Sequence, residues 1–196
     1  MPISPHQQRQ AMRDRVRQLR RALTQEQQAQ FANQIAERAL EQPEVQQAKR
    51  IALFLSFDGE LDTQPLIARL WQQGKAVYLP VLHPFSPGHL LFLQYDAQTP
   101  LVKNRLKIVE PRLDVRRVLP LTQLDLLFTP LVAFDAQGQR LGMGGGFYDR
   151  TLQRWRQQGF YPIGLAHDCQ QVDAIPSEAW DIPLPAILTP SRRWQW

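Results

Sequence analysis

Cysteine and long apolar runs are scarce in this sequence of 196 residues. The single cysteine, Cys169, excludes an internal disulfide and an all-cysteine metal site, and it suits a reducing compartment. No uninterrupted apolar run approaches the ~20 residues of a membrane span. The N-terminus carries arginines but no apolar segment of the kind that marks a secretory signal. We therefore expect a cytoplasmic protein without a membrane partner.

Internal repeats and interdomain linkers are also missing. With 43% hydrophobic and 21% charged residues, the chain has the composition of an ordinary globular protein. Its length fits one domain, which we predict to span residues 1–196. His167, Asp168 and Cys169 stand together, but no second metal-spaced pair accompanies them, so we assign them no zinc or nucleophilic role.

The net charge is confined to one short segment. Six arginines and one acid between residues 1 and 21 account for the whole formal charge of +5, and the remainder of the chain is balanced. This distribution argues for a local anion site rather than a generally basic surface.

The same segment predicts a helix at about residues 5–22. Apolar residues recur along it at helical spacing, and Arg9, Arg13 and Arg17 form a second, adjacent stripe. Guanidinium groups in such a row present bidentate donors to phosphate or carboxylate. A solvated basic face and a nucleic-acid surface are the alternatives, although no aromatic residues interleave with the arginines.

Apolar runs alternate with helical patterns along the rest of the chain. A second helix is predicted from the cap at Thr24 to about Glu41, stopping near Pro43. A nearly continuous apolar strand covers Arg50–Phe57, and the final strand lies within Trp180–Thr189. The alternation predicts an α/β fold: a mostly parallel sheet in three layers, with helices on both faces.

The loop Asp58–Thr63 follows the first predicted strand. Ligands in open α/β sheets bind beyond the carboxyl ends of the strands, so this loop is a candidate binding site. Asp62 or Thr63 can also cap the helix that follows. That role would leave Phe57 and Glu60 free to contact a ligand.

A glycine-rich stretch later in the chain is the most informative. The apolar run Leu126–Asp135 predicts a buried strand and loop, and four glycines in the five positions 142–146 predict a tight turn. Tyr148, Leu152 and Trp155 then fall at helical spacing. A turn of this kind lets consecutive N–H groups and a helix N-terminus converge on a phosphate.

Two known glycine motifs do not match this turn. It does not end in the Gly-Lys-Ser/Thr of a Walker loop, and Phe147 stands where the dinucleotide fingerprint needs its last glycine. Spacing alone therefore leaves a packing turn and a phosphate cradle as alternatives.

The residue sequence of this stretch resembles the signature of the 5-formyltetrahydrofolate cyclo-ligases, also called methenyltetrahydrofolate synthetases. Val132–Asp135 and Gly138–Asp149 carry the most specific part. The basic first helix, the acidic loop after the first strand and Asn104–Pro111 are also similar to this family, so the resemblance covers nearly the whole chain. It implies a Rossmann-like topology akin to sugar-phosphate isomerases and CoA transferases.

The resemblance implies a ligase that forms a carbon–nitrogen bond. Such an enzyme cyclises 5-formyltetrahydrofolate to 5,10-methenyltetrahydrofolate with ATP and Mg²⁺, through a phosphorylated formyl intermediate, and releases ADP and phosphate. Its partners would be a reduced folate and ATP, not nucleic acid. We expect a monomer or a weak homodimer.

The resemblance also implies a set of site residues. ATP contacts are implied at Arg9, Arg13, Arg140, Leu141, Gly142, Met143, Gly144, Gly145, Gly146, Phe147 and Tyr148. Folate contacts are implied at Phe57, Glu60, Asp62, Met143, Gly144, Gly145, Gly146 and Phe147. Magnesium ligands are implied at Asp149 and Asp181.

The chain departs from the family pattern at three positions. Gly145 stands where some relatives carry lysine, so one phosphate-directed charge is absent. Phe147 replaces the commoner tyrosine, and Pro185 stands where some relatives carry an acid, so we expect no third carboxylate.

Two other functions serve as rival hypotheses. One is an isomerase or transferase of the same fold that acts on a sugar phosphate without ATP. The other is a nucleic-acid-binding module, in which Arg15 and Arg20 would matter as much as Arg9 and Arg13. Neither rival hypothesis explains the residue sequence around the glycine turn.

Overall fold

The computed structural model describes residues 2–196. The helices are Pro5–Arg21 (α1), Gln25–Leu40 (α2), Pro43–Gln47 (α3), Gln64–Gln72 (α4), Phe147–Leu152 (α5) and Trp155–Gln158 (α6). The strands in the first half are Arg50–Ala52 (β1), Ala76–Leu82 (β2), Leu90–Tyr95 (β3), Leu101–Lys103 (β4) and Val109–Pro111 (β5). Those in the second half are Val118–Leu119 (β6), Leu126–Thr129 (β7), Ala133–Phe134 (β8), Arg140–Leu141 (β9), Tyr161–Leu165 (β10), Ala186–Leu188 (β11) and Arg193–Gln195 (β12).

Eight strands form one sheet in the order β12-β11-β10-β7-β1-β2-β3-β6. The five strands from β11 to β2 run parallel, whereas β12 at one edge and β3 and β6 at the other pair antiparallel. The predicted α/β class with a mostly parallel sheet is thus confirmed. None of the helices in residues 2–196 is long and apolar enough to cross a membrane.

The core lies on both faces of this sheet because strand side chains alternate. Ile51 and Leu53 belong to a buried cluster that includes residues of α2 and α4. Ala52, between them, points to the other face, where it joins a cluster with Leu152 of α5. The three predicted layers are therefore present.

Helix α1 packs near the carboxyl ends of the parallel strands. Its Val16 is buried against Val132 and Leu141, which follow β7 and lead into the glycine turn. Ser4 begins the helix with a reciprocal capping box to Gln7. The predicted helix at 5–22 is confirmed, and its position brings the basic segment to the edge where ligands bind.

The structure corrects several element boundaries. Strand β1 is shorter than the predicted Arg50–Phe57, because the chain beyond Leu53 leaves the ladder and lines a cavity. Helix α2 ends at Leu40, and Pro43 begins α3 instead of only following a helix.

Two further corrections lie toward the C-terminus. The strand predicted within Trp180–Thr189 is β11, but it is not the last one, since β12 pairs antiparallel with it. The helical pattern after the glycine turn is divided into α5 and α6. There the Thr151 hydroxyl donates to the Phe147 carbonyl, a local bond of the kind that bends helices.

Candidate active site

A cavity of about 720 Å³ opens at the carboxyl edge of the parallel strands. One wall comes from α1 and the glycine turn, and another from the chain that leaves β1. Apolar side chains of β2 and of the β4–β5 connection complete it. Both the position and the volume are typical of small-molecule sites in α/β proteins.

The glycine turn between β9 and α5 forms a concave backbone surface. Gly144 and Gly146 have φ values of +103° and +70°, which only glycine adopts without strain. Within the described chain, no acceptor is hydrogen-bonded to the N–H groups from Met143 to Tyr148. Helix α5 is only six residues long, so these N–H groups, rather than a long helix dipole, are the donors available to an anion.

Three arginines predicted to contact phosphate surround this turn. Arg9 and Arg13 of α1 and Arg140 of β9 are all buried, and all line the cavity. Arg13 Nε donates to the Gly142 carbonyl at 2.8 Å, which fixes the turn to α1. Burial and the neighbouring Arg9 lower the pKa of Arg13. These three arginines therefore do not form a solvated basic face.

Two of these arginines are paired with the two predicted metal ligands. Arg9 binds the Asp181 carboxylate through two bonds of 2.6 and 3.1 Å. Arg140 donates to Asp149 Oδ1 at 2.8 Å, and its buried Nε has no hydrogen-bond partner in the described chain. Asp149 Oδ1 also accepts from the N–H of Ile182, so the two ion pairs are close to each other.

The two carboxylates differ in their suitability for a metal. Asp149 lines the cavity, and no residue of the described chain is hydrogen-bonded to its Oδ2. Asp181 is outside the cavity wall and is nearly fully buried, with Arg9 on both oxygens and the Glu178 N–H on Oδ2. Residues 2–196 contain no group of three or more His, Cys, Asp or Glu side chains arranged for a metal. Mg²⁺ keeps several waters, so one or two carboxylates can hold it.

Three residues were predicted to contact the folate but not ATP, and they lie on the chain that follows β1. Of these, Phe57 and Glu60 line the cavity, and Phe57 is 40% exposed. Burial raises the pKa of Glu60 to about 8, although the charge of Arg20 opposes this. Burial and the charge of Glu60 also raise the pKa of Tyr148, which places these two side chains in one electrostatic environment. Asp62 does not line the cavity, and instead its Oδ1 accepts from the Gln64 N–H at the start of α4.

Some cavity residues were missed by the sequence predictions, and Leu141, like Asp62 and Asp181, was predicted but does not line the cavity. Leu141 is buried behind the wall. Glu110, which was not among the predicted site residues, accepts hydrogen bonds from the Leu82 N–H and Asn104 Nδ2 at 3.0 and 2.9 Å, and it also lines the cavity. The other unpredicted wall residues include Arg20, Leu106, Ile108, Val109 and Trp180. Leu106, Ile108, Val109 and Trp180 lie on loops or at a strand end without a periodic pattern. Arg20, by contrast, falls at helical spacing with Arg9, Arg13 and Val16 on the buried face of α1, a signal that was available in the sequence.

The fold and the cavity together define a class of protein. Buried guanidinium groups, a glycine turn with free N–H groups, carboxylates and an apolar wall meet at the ligand edge of an α/β sheet. This combination is that of an α/β enzyme whose site suits a phosphate-bearing molecule and a flat organic one.

Comparison with known proteins gives the particular family. A model of the 5-formyltetrahydrofolate cyclo-ligase family matches residues 5–190, and the chain therefore belongs to this family of ligases. The 5-formyltetrahydrofolate cyclo-ligase of Escherichia coli K12 is 65% identical over 92% of this chain and 100% of that protein. The Haemophilus influenzae protein of the same name is 56% identical over 93% of this chain and 97% of its own. The family predicted from the sequence is confirmed.

A solved structure supports the same conclusion. The 5,10-methenyltetrahydrofolate synthetase of Aquifex aeolicus superimposes with a TM-score of 0.81 at 26% identity. The match covers 95% of this chain and 92% of that one.

Proposed function

We propose that this chain converts 5-formyltetrahydrofolate to 5,10-methenyltetrahydrofolate with ATP and Mg²⁺, and releases ADP and phosphate. The observation that carries the proposal is that one cavity has two chemically different sides. Buried arginines and free N–H groups line one side, and Phe57, Glu60 and apolar side chains line the other. Membership of the cyclo-ligase family supports the same reaction.

The ATP phosphates would bind between α1 and the glycine turn. Arg9, Arg13 and Arg140 supply positive charge there, and the N–H groups from Gly142 to Tyr148 supply directed donors. Phosphoryl transfer requires positioning and neutralisation of charge more than a protein nucleophile. His167 and Cys169, which do not line the cavity, would have no part in the reaction.

A magnesium ion would be held by Asp149, with Asp181 as the second carboxylate. The free Oδ2 of Asp149 at the cavity wall supports the first assignment. Asp181 would first have to exchange its contact with Arg9. When bound, the ion would neutralise part of the phosphate charge.

The folate would occupy the side of the cavity that holds Phe57 and Glu60. The Phe57 ring can stack on a pterin, and the Glu60 carboxyl group can accept a hydrogen bond from the pterin donor edge through its carbonyl oxygen. Residues 143–147 line the same cavity, so they can contact both substrates. Asp62 does not line the cavity, so it would affect folate binding indirectly, through the conformation of the turn that carries Glu60.

The reaction would proceed in two steps. The formyl oxygen attacks the γ-phosphate of ATP, and ADP leaves. The nitrogen at position ten of the folate then attacks the activated formyl carbon and loses its proton, the carbon–oxygen bond breaks, and phosphate departs with that oxygen. The chain's role is to align both substrates and to exclude water.

We further propose a single domain that acts in the cytoplasm as a monomer or weak homodimer. Residues from His6 to Trp180 line one cavity, which supports the single domain, and the one cysteine is free. Turnover tests the main proposal: purified protein is mixed with 5-formyltetrahydrofolate, ATP and Mg²⁺, and the methenyl product is followed by its near-ultraviolet absorbance. Product that requires both ATP and Mg²⁺ is expected. Folded protein that binds ATP but forms no product would refute it.

A further inference from the structure

Phe57 and Glu60 are the first and last residues of one four-residue β-turn. The Glu60 N–H donates to the Phe57 carbonyl at 3.1 Å, and the residues between them, Asp58 and Gly59, have φ values of +55° and +76°. Positive φ at both central positions is the pattern of a type I′ turn. A non-glycine residue such as Asp58 adopts this conformation only when its surroundings hold it there.

The surroundings of Asp58 are three arginines of α1. Its Oδ2 accepts from Arg17 Nε at 2.6 Å and from an Arg20 terminal nitrogen at 3.2 Å, and Arg21 bonds Oδ1. Arg20 Nε also donates to the Asp58 carbonyl at 2.7 Å. Burial by itself would raise the pKa of Asp58, but the hydrogen bonds from Arg17 and Arg21 lower it below its ordinary value.

Arg20 is the centre of this arrangement. Its side chain is only 1% exposed, and it reaches the Leu131 carbonyl as well as Asp58, so it connects the loops that follow β1 and β7. A Cβ on Gly59 would lie 3.3 Å from the Arg20 backbone, so the turn rests directly on α1. Gln28 of α2 holds the turn from the other direction through the Gly59 carbonyl.

We propose that Asp58 and Arg20 are positioning residues for the folate side of the cavity. Asp58 does not line the cavity. It acts by fixing the turn whose first and last residues, Phe57 and Glu60, contact the substrate. We call the contacts of Arg20 and Asp58 that hold this turn the Asp58–Arg20 clamp. This inference rests on the proposed function, since it assigns the turn to the folate.

The location of the Asp58–Arg20 clamp distinguishes a positioning role from a general contribution to stability. The hydrophobic cluster of α1 is formed by Val16 with Val132, Ala133, Leu141 and Ile175, and it includes neither Asp58 nor Arg20. A buried arginine and aspartate pay a desolvation penalty that apolar residues would avoid, so they are poor devices for stability alone. Their contacts reach the turn backbone, where orientation is determined.

Asp58→Asn tests the inference through steady-state kinetics. Misplacement of Phe57 and Glu60 weakens contacts made equally to bound substrate and transition state, so the KM for 5-formyltetrahydrofolate is expected to rise about tenfold. The KM for ATP and kcat should stay within about twofold, because Arg9 and Arg13 are unchanged. Asp114→Asn is the matched control, since that carboxylate pairs with Arg116 on the surface. A purely structural role would reduce the amount of active enzyme and leave both KM values unchanged, and that result would overturn the inference.

Arg17→Gln provides a second variant if Asp58→Asn does not fold. Arg17 is partly exposed on α1 and contributes only one of the contacts to Asp58. A smaller rise in the folate KM, again without a change for ATP, is expected, and an unchanged folate KM would contradict the clamp. Wild-type enzyme is assayed first: absence of wild-type turnover would refute the proposed function, whereas turnover with unaltered variants would refute only this inference.

Discussion

Arg140 and Asp149 form an ion pair of 2.8 Å at the cavity wall, and Arg9 and Asp181 form a second one of 2.6 Å close by. The arginines proposed for phosphate and the carboxylates proposed for magnesium thus neutralise each other. Because ATP and Mg²⁺ carry opposite charges, their joint binding can replace both partners of each pair. Neither ligand alone does so without leaving a buried charge unpaired.

Asp181→Asn is expected to make the protein dependent on an anion for stability. Removing one partner of a buried pair costs about 3–5 kcal/mol, because it leaves the other charge, here Arg9, uncompensated. ATP without Mg²⁺ should therefore raise the Tm of this variant more than that of the wild type. Thermal unfolding in a chelator, with Asp114→Asn as the control, measures the difference. Equal shifts in variant and wild type would argue against the exchange of partners.

Gly144→Ala should weaken ATP binding. Its φ of +103° strains any other residue by about 1–3 kcal/mol, so the turn would reorient its N–H groups. Gly74→Ala is a matched control, since Gly74 has φ +74° with nothing within 4 Å of an added Cβ, and it is not part of the cavity wall. Both variants should lose stability, but calorimetry should find weaker ATP binding only for Gly144→Ala. Equal ATP affinity in the two would show that the turn does not bind the phosphates.

Arg13→Ala and Arg15→Ala distinguish the ATP site from a basic nucleic-acid surface. Arg13 is buried at the cavity, whereas Arg15 is exposed on the same helix. Loss of a charged contact to phosphate costs about 1.5–3 kcal/mol, so ATP affinity should fall at least about tenfold for Arg13→Ala only. Comparable losses for both variants, with steep salt dependence, would favour the nucleic-acid hypothesis.

Sequence patterns predicted the elements around the site better than the contacts within it. The glycine turn and the stripe of Arg9 and Arg13 are local features, and local spacing determines them. The bond from Arg9 to Asp181 joins residues 172 positions apart, and no periodicity records such a pair. Asp181 therefore could be named as a metal ligand from family resemblance without any sign that Arg9 covers it.

The same limit explains the other differences. Arg20 shares the buried face of α1 with Arg9, Arg13 and Val16, and helical spacing could have indicated this, but its contact with the Asp58 turn is visible only in the folded chain. Strand β12 escaped prediction because Arg193-Trp194-Gln195 has no apolar run and pairs with β11 only at a sheet edge. Glu110 has a structural role that hides its position on the cavity wall.

Glu60→Gln should change how stability depends on pH. The folded pKa of Glu60, about 8, is above its ordinary value, so the folded state binds more protons than the unfolded state between about pH 4.5 and 8. The free energy of unfolding of the wild type should therefore fall as the pH rises through this window. Glu60→Gln lacks this group, so it should gain stability relative to the wild type between about pH 5 and about pH 8.

Thermal unfolding across this pH range provides the measurement for Glu60. Glu41→Gln, at an exposed position after α2, is the control and should keep a constant difference from the wild type. A constant difference for Glu60→Gln as well would mean that Glu60 is ionised in the folded protein at neutral pH.

The fate of the formyl oxygen tests the central claim most directly. The protein is incubated with Mg²⁺, ATP and 5-formyltetrahydrofolate that carries a heavy oxygen isotope in its formyl group, and the released phosphate is analysed by mass spectrometry. Attack of the formyl oxygen on the γ-phosphate predicts one heavy oxygen in each phosphate released with the methenyl product. Methenyl product accompanied by unlabelled phosphate, with the heavy oxygen in water, would contradict the account.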